Sequence, residues 1–313
     1  MKLDPKTTAF VFPGQGSQTV GMGKALAEEY AETKQLFEQA DAILGFPLST
    51  FMWDGPEADL NDTLNTQPAL FLHSFASFEA FTRLFPGFEP ASAAGHSLGE
   101  ISALAAAGAL SFADGLRLVR KRGELMKRAG ELAPGSMAAI LGADIPTLEK
   151  VCAEASAANE IVQVANDNCP GQVVISGAKA AVERAMAGAK AAGAKRAMPL
   201  AVSIAAHSPL MASIQDEWNQ AVDAVAMTAP KIPVIGNVHA AVLKTAEEAS
   251  ADIKAQMQSR VRWTDSVKAM SAMGITSFVE VGTGSVLGGL VKRIASEAVS
   301  YPLGNPQDFI ALE

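Results

Sequence analysis

The chain has 313 residues, of which 49% are hydrophobic, so it is long enough to bury a sizeable core as one large domain or as a domain with an insertion. Its net charge of -8 argues against nucleic acid as the main partner, because phosphate binding relies on clustered lysine and arginine. No stretch approaches the roughly 18 apolar residues that span a bilayer, and the first residues lack the apolar core of a signal peptide, so we expect no membrane partner and a cytoplasmic setting.

The first predicted elements are a strand and a helix. Residues 8–12 (TAFVF) form a short apolar run of β type that stops at Pro13-Gly14. The mixed polar and apolar residues from 21 to 40 favour a helix. A strand followed by a helix is a typical opening of an α/β protein.

Residues 95–99 (GHSLG) have the spacing of a nucleophile elbow, in which a serine stands on a tight turn between a strand and a helix. The small residues 91–94 suit a buried strand end, and the alanine-rich residues 98–110 favour a helix. The glycines allow the sharp turn, and the helix start directs free N–H groups towards an oxyanion formed there. Ser97 is therefore a candidate nucleophile, and the alternative is a glycine-rich turn with a surface serine.

A helix predicted over residues 113–129 carries one arginine in an unusual place. Its apolar or small stripe is formed by Leu116, Val119, Gly123 and Met126. At about 100° per residue, Arg122 lies at the edge of this stripe. One interpretation is an arginine whose stem covers core surface while its charge reaches water. The other is a guanidinium fixed inside a cleft and suited to bidentate capture of a carboxylate.

The pattern between residues 135 and 200 changes to shorter units in the order β-α-β-β-α-β. This order is the signature of a ferredoxin-like subdomain. We expect this subdomain over residues 131–199, inserted into a larger α/β-hydrolase-like domain made of residues 1–130 and 200–313. Strand, tight turn and helix recur over residues 277–298, which predicts a parallel sheet for the larger domain.

Two patterns argue against a bound cofactor or metal. The glycine-rich turn after residue 281 would need glycine in place of Leu287 to match the dinucleotide fingerprint. Cys152 and Cys169 form neither a C-x-x-C pair nor a metal cluster, so they are expected to be ordinary reduced thiols. We therefore expect no cofactor and no metal.

A serine hydroxyl needs a base within hydrogen-bond reach, and four histidines are available. His207 follows the strand-like residues 199–206, and α/β proteins gather active-site groups at strand ends. His73 lies in an apolar helical stretch typical of a core histidine. His96 is expected to point away from the serine, and His239 has no chemical neighbourhood. His207 is therefore the candidate base.

Six motifs stand in order along nearly the whole chain: residues 12–18 (FPGQGSQ), 66–69 (TQPA), 95–100 (GHSLGE), 122–123 (RG), 170–174 (PGQVV) and 207–208 (HS). Together they resemble the malonyl-CoA:acyl carrier protein transacylases of bacterial fatty-acid synthesis. The resemblance implies transfer of malonyl from malonyl-CoA to the phosphopantetheine thiol of acyl carrier protein through a malonyl-serine intermediate, with no bound cofactor. It also implies the inserted ferredoxin-like subdomain.

The resemblance assigns roles to the residues at the reacting centre. Ser97 attacks the malonyl thioester, and His207 takes its proton and later helps the incoming thiol. The backbone N–H groups of Gln15 and Leu98 form the oxyanion hole. An oxygen of the loop at Gln256 orients the histidine, so no third acidic member is needed.

The resemblance also implies the groups that bind the acyl chain. Arg122 pairs with the free malonyl carboxylate and so selects against acetyl groups. Gln67, Asn168 and Gln172 resemble supporting polar groups that line the cleft, with a purely structural role as the alternative.

Two departures from the family pattern leave other functions open. Ala206 precedes His207 where malonyl-selective members often carry a large aromatic residue, so the acyl pocket is expected to be wider. Arg260 stands where many members carry proline, which bears on the loop of Gln256. The alternatives are transfer of another extender such as methylmalonyl in polyketide synthesis, a serine esterase, and a non-catalytic carrier-binding module.

Overall fold

The computed structural model describes residues 2–313 and contains two β-sheets. Ten strands build them: β1 (Thr8–Phe12), β2 (Ser92–Gly95), β3 (Gly135–Leu141), β4 (Val162–Cys169), β5 (Gln172–Ala178), β6 (Arg196–Pro199), β7 (Val234–Ile235), β8 (Val242–Leu243), β9 (Ser277–Val281) and β10 (Val299–Leu303).

Helices cover most of the remaining described chain. They are α1 (Lys24–Glu29), α2 (Ala31–Leu44), α3 (Leu48–Asp54), α4 (Glu57–Asn61), α5 (Thr63–Leu84), α6 (Gly99–Ala106), α7 (Phe112–Leu132), α8 (Ile145–Ala155), α9 (Lys179–Ala191), α10 (Gln215–Asp223), α11 (Ala246–Gln256), α12 (Trp263–Ala272), α13 (Val286–Ile294) and α14 (Pro306–Leu312), with 3-10 turns at Pro5–Thr7 and Pro209–Ile214. Within residues 2–313, none of these helices combines the length and the apolar character needed to cross a membrane.

The larger sheet has the strand order β10-β9-β1-β2-β7-β8. All its neighbouring pairs are parallel except β7 and β8, so the sheet is mixed. Strand β1 is buried on both faces, because Phe10 and Phe12 pack into one core while Ala9 and Val11 pack into another. This arrangement confirms the predicted α/β class and the parallel pairing around β1.

The smaller sheet is antiparallel, with the order β4-β5-β3-β6. Helices α8 and α9 pack against the sheet and share one hydrophobic core with it. Met137, Ala165 and Val174 form a separate small cluster, and Ala206 packs against it. The elements from β3 to β6 follow each other in the β-α-β-β-α-β order that the sequence predicts.

Two predicted elements differ from the structure. The helix predicted over residues 21–40 is two helices, because Tyr30 adopts extended dihedral angles between α1 and α2. The prediction that His207 ends a strand-like run is wrong. The chain leaves the edge strand β6 at Pro199 and crosses irregularly to the 3-10 turn after His207, so residues 201–206 pair with no strand.

Candidate functional site

The segment from β2 to α6 is a sharp turn that raises Ser97 above the carboxyl edge of the larger sheet. Ser97 has a φ of 52°, in the left-handed region that a non-glycine residue seldom adopts. A Cβ on Gly95 would lie 1.8 Å from the carbonyl carbon of Gly99, and a Cβ on Gly99 would lie 2.1 Å from the carbonyl oxygen of Phe12. Both glycines are therefore required by backbone contact, as the elbow interpretation predicts.

Replacing Gly99 with alanine is expected to lower the free energy of unfolding by about 3 kcal/mol, because neither backbone carbonyl near the new Cβ can move freely. Gly289 is the matched control, since it lies in α13 and has no atom within 4 Å of an added Cβ. Gly289→Ala should be neutral or stabilise the protein by up to about 1 kcal/mol. Urea titration of both variants checks this, and equal midpoints would contradict the steric account.

Ser97 and His207 lie within hydrogen-bond distance, with 2.8 Å between Oγ and Nε2. The Nδ1 atom of His207 lies 2.9 Å from the backbone oxygen of Gln256. A carbonyl oxygen only accepts, so Nδ1 carries the proton and Nε2 is free to accept one from the serine. His207 is buried and has a φ of 59°, so both members of the pair stand on left-handed backbone.

The environment of His207 favours its neutral form. Burial lowers the pKa of His207 to about 3, and the positive charge of Arg122 acts in the same direction. The hydrogen bond to Gln256 opposes this shift. His207 is therefore an unprotonated acceptor throughout the neutral pH range.

Arg122 is only 2% exposed and lies directly beside the serine. Its NH2 group donates to Ser97 Oγ over 3.1 Å and to Gln256 Oε1 over 2.8 Å. Its NH1 group donates to Gln67 Oε1 over 3.0 Å. Burial lowers the pKa of Arg122 to about 10, so the guanidinium stays charged at neutral pH. The interpretation in which its charge reaches water is wrong.

The charge of Arg122 lacks an acidic partner in the substrate-free site. Within residues 2–313 it forms no ion pair with a carboxylate, and its Nε atom is buried without a hydrogen bond. The side chains that it contacts, Gln67, Gln256, Met126 and Ser97, are uncharged. Because buried charges are normally paired, the site is suited to an anionic group brought by a ligand.

Two backbone N–H groups near the serine have no acceptor within residues 2–313. They belong to Gln15, in the turn after β1, and to Leu98, at the start of α6. Strands β1 and β2 are parallel neighbours with Phe12 beside Gly95, so both turns lie at the same edge of the sheet. Free N–H groups at this edge can donate to a developing oxyanion.

The remaining predicted polar groups divide into two sets. Gln67 is buried in α5 and contacts Arg122 directly. Asn168 instead accepts a hydrogen bond from His96 Nε2 at 2.8 Å, and Gln172 accepts one from Arg293 at 2.6 Å. Neither Asn168 nor Gln172 forms a hydrogen bond with the serine, the histidine or the arginine of the site.

Asn237 holds the elbow in place and was missed by sequence reasoning. Its Oδ1 accepts from the N–H of Ser97 over 2.8 Å, and its Nδ2 donates to the backbone oxygen of Gly95 over 2.7 Å. The available signal was a polar residue just after the apolar pair of β7, at the carboxyl edge of the sheet. Gln163 was also missed, and its Nε2 donates to the backbone oxygen of His207 over 2.8 Å.

The two positions that depart from the family pattern lie next to or a few residues from site residues in the chain, Ala206 directly before His207 and Arg260 four residues after Gln256. Ala206 is half-buried and packs against the small cluster of Met137, Ala165 and Val174. Arg260 forms an ion pair with Glu149 of α8. The backbone oxygen of Gln256 still reaches His207, so arginine at position 260 is compatible with this contact.

An α/β framework with a serine elbow, a neutral histidine and a buried arginine is the architecture of an acyl-transferring enzyme. Residues 9–301 match the model of the acyl transferase domain, and the chain belongs to this family.

The names of similar proteins within this family all refer to malonyl transfer. The chain is 44% identical over 299 residues to the malonyl CoA-acyl carrier protein transacylase of Bacillus subtilis, covering 96% of this chain and 94% of that protein. It is similar to the crystal structure of an acyl carrier protein S-malonyltransferase from Vibrio cholerae, with a TM-score of 0.94, 44% identity, and coverage of 98% and 100% of the two chains.

A third similar structure contains a protein partner. It is a type II PKS acyl-carrier protein in complex with its malonyl-transacylase, and the match has a TM-score of 0.93 and 40% identity. The aligned part covers 97% of this chain and 98% of that one.

Proposed function

We propose that this chain transfers the malonyl group from malonyl-CoA to the phosphopantetheine thiol of acyl carrier protein by a ping-pong route through malonyl-Ser97. The observation that carries the proposal is the buried, charged guanidinium of Arg122 at 3.1 Å from the serine oxygen. The names of the relatives support the same substrate and carrier. The proposal requires no metal and no cofactor.

In the first half-reaction, Ser97 Oγ attacks the thioester carbon while its proton passes to Nε2 of His207. The N–H groups of Gln15 and Leu98 stabilise the resulting oxyanion, and each such donor contributes about 3 to 4 kcal/mol in other enzymes. The C–S bond then breaks, and the leaving thiolate of CoA receives from the imidazolium the proton that came from Ser97. The product is a malonyl ester on the serine.

In the second half-reaction, the carrier thiol gives its proton to the same Nε2 atom and attacks the ester carbon. The bond to Ser97 Oγ breaks, and the serine recovers the proton. The backbone oxygen of Gln256 holds the Nδ1 proton throughout, so the ring keeps the required tautomer.

Arg122 supplies the preference for a carboxylate-bearing acyl group. Its two terminal nitrogens now bind uncharged oxygens of Gln67, Gln256 and Ser97. A malonyl carboxylate gives the guanidinium a charged partner and forms shorter, stronger hydrogen bonds. An acetyl group has no such oxygen, so it leaves the arginine unpaired.

The neutral state of His207 predicts an unusual pH profile. Because the pKa of His207 is lowered to about 3, kcat/KM for malonyl-CoA should stay level from about pH 5 to about 8 and fall only in more acidic solution. Stopped-flow measurement of malonyl-enzyme formation in buffers of constant ionic strength checks this. An inflection near the ordinary value of about 6.5 would contradict the buried, neutral histidine.

The transfer itself can be tested with purified components. Wild-type protein, malonyl-CoA and an acyl carrier protein bearing phosphopantetheine should give a carrier heavier by one malonyl group in its mass spectrum. Carrier without phosphopantetheine is the matched control and should stay unmodified. Malonate released into solution at the same rate with and without carrier would contradict the proposal and favour the esterase.

A second candidate is transfer of methylmalonyl, supported by the small side chain of Ala206, which directly precedes His207 in the chain. Ala206 packs on the cluster of Met137, Ala165 and Val174, none of which carries an aromatic ring. Competition between equal concentrations of malonyl-CoA and methylmalonyl-CoA separates the two, because a malonyl-selective enzyme loads almost only malonyl.

We also propose a finer description of the fold. The part containing β3 to β6 is a ferredoxin-like subdomain over residues 131–199, and residues 1–130 with 200–313 form an α/β-hydrolase-like domain. The sheet order β4-β5-β3-β6 and the helices α8 and α9 support this division. The cytoplasmic setting expected from the sequence stays a prediction.

A further inference from the structure

A carboxyl group that the reaction does not use lies beneath the elbow. Glu100, in the first turn of α6, is fully buried. Its Oε2 accepts a hydrogen bond from Gln256 Nε2, while its Oε1 is buried and receives no N–H or hydroxyl donor from residues 2–313. The side chain of Asp252, in α11, lies within hydrogen-bond reach of Glu100. Two acidic groups therefore meet in a site closed to solvent.

The hydrogen bonds around the two carboxyl groups differ. Asp252 Oδ2 accepts from the N–H groups of Asn237 over 3.0 Å and Val238 over 3.2 Å. These two N–H donors satisfy Oδ2 of Asp252, whereas Oε1 of Glu100 has no donor within residues 2–313. Burial and then the neighbouring Asp252 raise the pKa of Glu100 well above its usual value. A proton on Oε1 of Glu100 would give this oxygen a hydrogen-bonding role. It would also remove the repulsion between two carboxylate charges.

The pair connects to both sides of the reacting centre. Through Gln256, Glu100 reaches Arg122, because Gln256 Nε2 donates to Glu100 and its Oε1 accepts from Arg122. Through Asn237, Asp252 reaches the backbone N–H of Ser97. The Gln256 amide must keep this orientation for its oxygen to face the guanidinium, and two acceptors of its Nε2 hold it there: Glu100 and the backbone oxygen of Ser97 at 3.0 Å.

We propose that Glu100 and Asp252 share one proton and form a positioning pair that keeps Arg122 directed at the substrate carboxylate. The inference rests on the proposed function. With one proton the pair carries one negative charge, and the Gln256 amide separates it from the guanidinium, so Arg122 still has no carboxylate bound directly to it. Loss of that proton would place a second carboxylate charge behind the arginine and repel the incoming malonyl carboxylate.

Two variants at position 100 distinguish an effect of the shared proton on activity from an effect of side-chain packing alone. In Glu100→Gln, the amide oxygen can accept from Gln256 and the amide nitrogen can donate to Asp252, as the protonated acid does. Glu100→Ala leaves Gln256 Nε2 without this acceptor, and we expect kcat/KM for malonyl-CoA to fall by about tenfold or more, mainly through KM. Glu100→Gln should restore most of this loss.

Ser102 provides the matched control in the same helix. It is buried, and its hydroxyl has no hydrogen-bond partner within residues 2–313. Ser102→Ala should therefore leave KM for malonyl-CoA unchanged, although it also removes a buried polar group from α6. If Ser102→Ala and Glu100→Ala raise KM equally, the effect is general loosening of the helix and the proposal is overturned.

Infrared spectroscopy tests the proton without relying on activity. The difference spectrum of wild type minus Glu100→Gln at neutral pH should contain the C=O stretch of a buried protonated carboxyl, shifted in D2O. No such band would overturn the proposal even if the enzyme transfers malonyl. If the band is present and wild type forms no malonyl adduct, the shared proton stands and the proposed function fails.

The pH dependence of stability gives a second readout. The charged groups that face Glu100 are Asp252 on α11 and Arg122 on α7. A carboxyl whose folded-state pKa is raised stabilises the fold below its unfolded pKa, and this contribution is lost as pH rises through the folded pKa. Wild type should therefore lose Tm relative to Glu100→Gln as pH is raised, and parallel Tm curves would contradict the shared proton.

Discussion

Ser97→Ala should lower malonyl transfer by about 10⁴-fold or more, as loss of the nucleophile does in other serine enzymes. The hydroxyl is placed to form the acyl bond, since His207 Nε2 lies 2.8 Å from it and can accept its proton. Transfer from malonyl-CoA to carrier, followed by mass spectrometry of the carrier, measures the loss. Fold and carrier binding should persist, because Ser97 is half-buried and its N–H contact to Asn237 does not involve the hydroxyl.

The same variant separates the serine enzyme from a carrier-binding module. Binding of the carrier by Ser97→Ala, measured by calorimetry, should equal that of wild type while transfer is lost. A non-catalytic module would show no transfer in wild type either. Transfer that survives the substitution at a comparable rate would exclude Ser97 as the nucleophile.

Arg122→Ala should reduce kcat/KM for malonyl-CoA much more than for acetyl-CoA. Breaking a buried ion pair by removing one partner costs about 3 to 5 kcal/mol, which corresponds to roughly 150- to 5,000-fold in kcat/KM. The acetyl group makes no contact with the guanidinium, so its smaller loss reports only the 3.1 Å contact to the serine and local repacking. The quantity to measure is the ratio of the two kcat/KM values.

Two further variants make this result specific. Arg122→Lys keeps a positive charge but loses the planar fork, so it should recover only part of the malonyl preference. Arg117, exposed on the same helix and paired with Asp114, is the matched control, and Arg117→Ala should leave the ratio unchanged. An equal loss for malonyl and acetyl in Arg122→Ala would contradict the selective role and indicate a structural arginine.

The local part of the fold is readable from the sequence. Strand β1 has the predicted bounds, and β9 begins where the predicted strand, turn and helix unit begins, because each is a short, mostly apolar run that ends at a proline-glycine or glycine-rich turn. The elbow is readable for the same reason, since its glycines are required by contacts within the turn and with the adjacent strand β1. Each of these features is encoded by residues close together in the chain.

The features that sequence reasoning missed depend on distant contacts. Arg122 is held in the core by a contact with α5, because its NH1 group donates a hydrogen bond to Gln67. The pattern of α7 alone does not show this contact. Asn237 contacts Ser97 across 140 positions of chain, and no periodicity near residue 237 marks that contact. The approach to His207 looked like a strand because it is apolar, yet it packs on the smaller sheet instead of pairing with it. Hydropathy patterns in the sequence predict which residues are buried, but the contact partner of each residue depends on tertiary packing.

The most direct test of the account is the intact mass of the protein after brief mixing with malonyl-CoA, for wild type and Ser97→Ala. We expect the mass of one malonyl group on wild type alone, a smaller adduct with acetyl-CoA, and loss of the malonyl mass when phosphopantetheine-bearing carrier is added. An adduct of equal amount on Ser97→Ala, or a wild-type adduct that carrier leaves in place, would contradict transfer through malonyl-Ser97.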